Sequence, residues 1–254
     1  MTKQKNINYL LDFSHVYDDE GKGADDVLWV DCSDITECDM YCSQAAEETI
    51  GERIDRFGIH GIHYIDSGNY HYVTKIMTDR IDRPFSLVVF DHHTDMQNAM
   101  INGMMSCGDW AGIVLERNRY LRQLVLIGPC DKDIQSIRVK NKDKLITFSE
   151  EELHNGTGRE KIKQIDKDVP VYISIDKDVL GRDISITNWS QGDMSLELLE
   201  HLLKPVLLHE QVLGIDICGE CSHGMALLQY MEAEEINGKL NRELYDFLRR
   251  NLTI

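Results

Sequence analysis

Apolar residues in this chain cluster in short runs rich in β-branched and aromatic side chains, at about 7–13, 27–32, 60–66, 85–91, 122–128, 170–176 and 211–217. Runs of this length and composition predict buried strands. Helical patterns lie between several of them, near 41–56, 70–79, 108–118, 195–206 and 232–250, the last charged and amphipathic enough to lie on the surface. Strands alternating with helices predict right-handed crossovers and an α/β fold, a three-layer αβα sandwich around a mostly parallel sheet. No Pro/Gly/Ser-rich linker, repeat or low-complexity segment interrupts the pattern, so one domain over residues 1–254 is expected.

Such sheets bind ligands beyond the carboxyl ends of their strands, and here those ends carry chemistry. The run Ser86-Leu87-Val88-Val89-Phe90 leads into Asp91-His92-His93-Thr94-Asp95. If the strand continues, period-2 alternation projects Asp91, His93 and Asp95 to one side. The run Val169–Ile175 ends in the same way, in Asp176-Lys177-Asp178. Two such clusters point to a binuclear metal centre. Ile62–Asp66 is a third strand, followed by the turn Ser67-Gly68-Asn69 and a helix opening at Tyr70-His71-Tyr72, which brings His71 to the same rim. His92 should point the opposite way from its neighbours, into sheet packing or a hydrogen bond behind the ligands, while for His15 approach to the same rim and simple loop polarity both stand.

Composition narrows the partners. A formal net charge of −17 argues against nucleic acid and anionic membranes and favours cationic ligands. There is neither a signal-peptide pattern nor a membrane-spanning stretch, so the cytoplasm is the expected location. The seven scattered cysteines fit reduced thiols. Cys218-x-x-Cys221, lacking a second pair, is read as packing.

At these residues the chain resembles the ureohydrolases, the family of arginase, agmatinase and formimidoylglutamase. Their Gly-Gly-Asp-His turn, Asp-x-His-x-Asp segment and Ser-x-Asp-x-Asp segment correspond here to Gly68–His71, Asp91–Asp95 and Ser174–Asp178, with a weaker echo at Thr187–Gly192. The resemblance implies an arginase/deacetylase-like fold. It also implies two Mn2+ ions, one held by His71, Asp91, Asp95 and Asp176, the other by Asp91, His93, Asp176 and Asp178. Four carboxylates and two neutral imidazoles balance two dications, and an oxygen-rich set with imidazoles suits manganese. The implied activity is hydrolysis of a C–N bond in a small cationic guanidino or amidino substrate by a metal-bridging hydroxide. Asp95 would orient the hydroxide, and Glu220 would hold the cation.

The chain departs from the family in three places, one being the absence after Asp95 of the Ser-Gly-Asn motif with which arginases read an amino-acid carboxylate. Where members carry a His-Gly proton shuttle it has Asn102-Gly103-Met104 and Ser106-Cys107-Gly108, and Glu220 follows Asp216 by four positions where the family spacing is three. The triplet His223-Gly224-Met225 is read as coincidence. Two alternatives stand beside the hydrolase: a metal-stabilised binding or regulatory protein without turnover, and a single-zinc deacetylase-like amidohydrolase, which the tandem His92-His93 suggests. The specific substrate is left open, as is homo-oligomerisation.

Overall fold

The computed structural model describes residues 6–17, 26–209, 211–221 and 226–252. Eight strands form one sheet in the order β2-β1-β4-β10-β9-β5-β7-β8. They are β1 (Tyr9–Asp12), β2 (Leu28–Asp31), β4 (Ile62–Ser67), β5 (Phe85–Phe90), β7 (Leu121–Ile127), β8 (Leu145–Phe148), β9 (Val171–Asp176) and β10 (Val212–Glu220). Every pairing in this sheet is parallel. The central strands are buried along both faces, which is why they read as predominantly apolar runs without in/out alternation.

The first face is covered by α1 (Gln44–Asp55), α2 (Val73–Thr78) and α3 (Trp110–Arg117), through Ile50, Ile54, Ile76, Met77, Trp110 and Val114. The second is covered by α6 (Leu196–His209) and α7 (Leu227–Asn251), through Leu199, Leu203, Leu240, Leu244 and Leu248. Shorter helices α4 (Asp131–Ser136) and α5 (Glu150–Asn155) follow β7 and β8, and β3 (Tyr41–Cys42) pairs antiparallel with β6 (Met105–Ser106). Among the described residues no helix is long and apolar enough to cross a membrane.

All the predicted strands are present. The expected helix at 70–79 is shorter, because a 3-10 turn at Gly68–Tyr70 precedes α2. The N-terminal part of the expected helix at 41–56 is strand β3, and α1 starts after the cap at Ser43, whose side chain accepts from the Ala46 amide at 3.2 Å. The strand order of the sheet places β4, β10, β9 and β5 side by side at its centre. Their carboxyl ends therefore share one crevice.

Candidate metal centre

Alternation along a strand does not bring Asp91, His93 and Asp95 together: β5 ends at Phe90, and the three residues lie in the irregular segment beyond it. The segment is folded by its own hydrogen bonds. The His93 amide donates to Asp91 Oδ1 at 2.6 Å, and Asp95, at φ 47°, offers its carbonyl to the amides of Ala111 and Gly112 at 3.0 and 3.2 Å. This left-handed residue, uncommon outside glycine, returns its carboxylate to the sheet, where Trp110 Nε1 donates to Oδ2 at 2.6 Å. A second tight turn follows β9, in which the Asp178 amide donates to Asp176 Oδ1 at 2.9 Å.

The two turns and the loop after β4 bring the six proposed ligands together. His71 Nδ1 lies 3.2 Å from Asp91 Oδ2, 3.2 Å from Asp95 Oδ2 and 3.4 Å from Asp176 Oδ2. His93 Nδ1 lies 2.8 Å from Asp178 Oδ2 and 3.5 Å from Asp91 Oδ1. Two ligand triplets follow, His71/Asp91/Asp95 and Asp91/His93/Asp178, each with its donor atoms within 4.8 Å of one another, and a third joins His71, Asp176 and Cys218. The other ring nitrogens are fixed from behind. His71 Nε2 meets Ser174 Oγ at 2.9 Å, Ser174 donates to Asp216 Oδ1 at 2.5 Å, and His93 Nε2 meets Ser190 Oγ at 2.8 Å. Partners of this kind set the tautomer of a metal-binding imidazole.

The electrostatics are those of a site short of positive charge. Burial, reinforced by the charge of Asp178, pushes Asp176 up to about 7; burial and the charge of Asp91 push Asp178 up to about 6. Burial lowers the His93 pKa, but the hydrogen bonds of Asp178 and Asp91 reverse this and push it up to about 12. His71 Nδ1 is buried and, among the described residues, has no hydrogen-bond partner of normal geometry, facing three carboxylates. An orphaned imidazole nitrogen among acidic oxygens is the donor set a dication takes, so the residues fit a metal centre.

The centre opens on a cleft lined by Asp91, His93, Asp95, Asp176 and Asp178 together with Gly68, Gln97, Ser106, Cys107 and Trp189. The segment Thr187–Gly192 provides its wall: Trp189 Nε1 donates to Asn69 Oδ1 at 3.0 Å, and its ring lies edge-on to His93 at 5.9 Å. The contribution of Trp189 and Ser190 is visible in sequence only as the echo at 187–192. His92 is half-buried, its ring 5.2 Å from that of His93.

Glu220 differs from the expectation of an acid facing a cationic substrate. It is absent from the cleft lining, and its Oε1 accepts from Lys177 Nζ and, at 2.7 Å, from Asn241 Nδ2 of α7. Gly219, at φ 96°, turns the end of β10. Cys218 therefore contacts Asp176 on the metal side while Glu220 contacts Asn241 on the other. The triplet His223-Gly224-Met225 lies outside the described residues.

A parallel αβα sheet with this acidic, imidazole-containing crevice defines an arginase-like hydrolase fold. The chain belongs to the arginase family, whose model matches residues 16–218. An uncharacterized protein of Thermotoga maritima is 33% identical over 177 residues, 70% of this chain and 65% of that protein. The chain thus spans just under two thirds of that relative's length. The agmatine ureohydrolase of Thermoplasma volcanium shares the fold with a TM-score of 0.67 at 13% identity, over 98% of this chain and 91% of that one. The Trypanosoma cruzi formiminoglutamase, solved with Mn2+, does so with a TM-score of 0.61 at 12% identity, over 87% and 74%.

Proposed function

We propose that the protein is a binuclear metal-dependent hydrolase that cleaves a C–N bond in a small guanidino or amidino substrate. The observation that carries this reading is the uncompensated acidity of the cleft. Among the described residues, the ion pairs of Asp91, Asp95, Asp176 and Asp178 run only to His71 and His93. His71, Asp91, Asp95 and Asp176 would hold one dication and Asp91, His93, Asp176 and Asp178 the other, with Mn2+ suited to the oxygen-rich set. Bound dications would supply an acidified water as nucleophile near neutral pH.

The chain's own residues account for the remainder. Asp95, anchored through Oδ2 by Trp110, orients the attacking water with Oδ1. Trp189 offers the planar cation an aromatic surface at the cleft wall. Glu220, tied to Lys177 and Asn241, takes no part in this scheme.

The reading is tested by loading the protein with Mn2+ and screening arginine, agmatine, formimidoylglutamate and smaller guanidines for release of urea, ammonia or amine. Turnover of one class is expected, and Asp95→Asn should reduce it by about 10^2-fold or more, the scale of losing a preorganised polar contact. Binding without product release at full metal occupancy would instead favour a non-catalytic binding protein.

A further inference from the structure

Strands β9 and β10 run parallel in a register that pairs Asp216 with Ser174 and Cys218 with Asp176. The first pair backs His71 through Ser174. The second, one pleat closer to the crevice, puts a thiol where the first puts a carboxylate. Cys218 is fully buried, and its Sγ lies 3.1 Å from Asp176 Oδ2. At 3.4 Å from the same oxygen is His71 Nδ1, which makes no hydrogen bond of normal geometry among the described residues.

We propose that Cys218 joins His71 and Asp176 as a thiolate ligand to one of the two cations, and that this half of the centre selects borderline-soft ions such as Zn2+ over Mn2+. The inference rests on the metal-centre reading above and deepens it. The sulfur, nitrogen and oxygen donor atoms all lie within 4.8 Å of one another. In a tetrahedral site with bonds of zinc length, neighbouring ligand atoms are roughly 3.5 Å apart. The 3.1 and 3.4 Å separations at Asp176 Oδ2 already approach this, so a cation could enter with little rearrangement. On binding, the Cys218 S–H proton is released to solvent and the sulfur lone pair forms the bond to the metal. Thiolates favour Zn2+, Co2+ and Fe2+ over Mn2+. The C-x-x-C spacing is incidental: Cys218 finds its partners across the sheet, at Asp176 and His71.

Titrating the metal-free protein with Co2+ tests this without reference to turnover. A sulfur-to-cobalt charge-transfer band in the near ultraviolet should appear in the wild type, persist in Cys107→Ser, which alters the thiol lining the cleft, and vanish in Cys218→Ser. Competition between Zn2+ and Mn2+, read by elemental analysis after dialysis, should show the zinc preference falling at least about tenfold in Cys218→Ser. Loss of an outer partner alone costs that much. X-ray absorption of the wild-type zinc form, which needs no variant to fold, should show a sulfur scatterer at about 2.3 Å. Two bound Co2+ with no sulfur band, or a band that survives in Cys218→Ser, would overturn the proposal and leave the metal centre standing. A wild type that binds no Co2+, Zn2+ or Mn2+ would overturn both.

Discussion

Two buried charge clusters lie back to back across the ends of β9 and β10, and only one of them is complete. On the α6/α7 side, Lys177 and Glu220 pair with their side chains almost wholly inaccessible. Asn241 closes the cluster: its amide donates to Glu220 Oε1 at 2.7 Å, its Oδ1 accepts from Lys177 at 3.2 Å, and its carbonyl accepts from Tyr64 Oη at 3.1 Å. Charge and hydrogen bonds balance internally. On the other side, Asp176 and Asp178 flank Lys177 in sequence yet lack its charge, and burial beside other acids pushes them up to about 7 and about 6. Neighbouring residues on a strand and its turn have thus been divided between a structural cluster that needs nothing more and a functional one that needs cations.

The largest test is to break the complete cluster. Lys177→Met leaves the Glu220 carboxylate buried and unpaired, and should cost about 3–5 kcal/mol of folding stability. Urea denaturation would measure it, and the metal content of the molecules that remain folded should not change. A loss below about 1 kcal/mol would mean that the pair is solvated.

Metal should stabilise the incomplete cluster. Ions present at a hundredfold excess over Kd should add about 2.7 kcal/mol, reversed by a chelator. Asp91→Ala and Asp176→Ala, each removing a shared ligand, should abolish this gain and lose both ions, whereas Asp178→Ala should chiefly lose one. Two tightly held ions in Asp176→Ala after dialysis would contradict the scheme.

In chelated protein the two clusters should respond with opposite sign. Asp178 has a folded-state pKa of about 6 against 3.8 unfolded. Its contribution is fully present below about pH 3.8 and is lost as pH rises through 6, because the folded state retains a proton that the unfolded state releases. Asp178→Asn removes that loss and should stabilise the chelated protein at pH 8 by roughly 1–3 kcal/mol. Glu220→Gln should destabilise it under the same conditions. Parallel melts at pH 4 and pH 8 would separate the two.

The crevice was legible because its ligands are carried by short local motifs at the ends of apolar runs, as in Ser174–Asp178 and Gly68–His71. How the residues converge was less so. Asp95 reaches the site through a left-handed backbone at φ 47°, not through strand alternation. Glu220 shows the reverse case. A glutamate beyond a strand resembles a substrate-binding acid, but its role depends on Gly219 at φ 96° and on Asn241, which is remote in sequence. A Cβ on Gly219 would lie 2.6 Å from Asp176 Oδ1, so the close approach also requires glycine there. Strand β8, Leu145–Phe148, is a four-residue, partly exposed edge strand outside the apolar runs of the sequence. The neighbours of Cys218 lie across the sheet, at Asp176, where the C-x-x-C spacing carries no information about them.

The smallest expected effect concerns a third kind of buried polar group, neither paired like Lys177 nor open to a cleft like Asp178. His63 on β4 is fully buried, its ring 4.3 Å from that of Tyr9, and neither ring nitrogen has a hydrogen-bond partner among the described residues. Burial, with a minor contribution from His60, lowers its pKa to about 3. The unfolded chain therefore takes up a proton near pH 6.5 that the folded protein refuses, and stability is lost as pH falls from about 6.5 toward 3. His63→Phe keeps the ring and removes the titration. At pH 8 it should lie within about 1 kcal/mol of wild type, since relief of the unsatisfied nitrogens offsets the slightly larger ring. Between pH 7 and pH 5 the wild type should lose roughly 1–2 kcal/mol more than the variant. Identical acid sensitivity in denaturant titrations at the two pH values would show that His63 accepts its proton without leaving the fold.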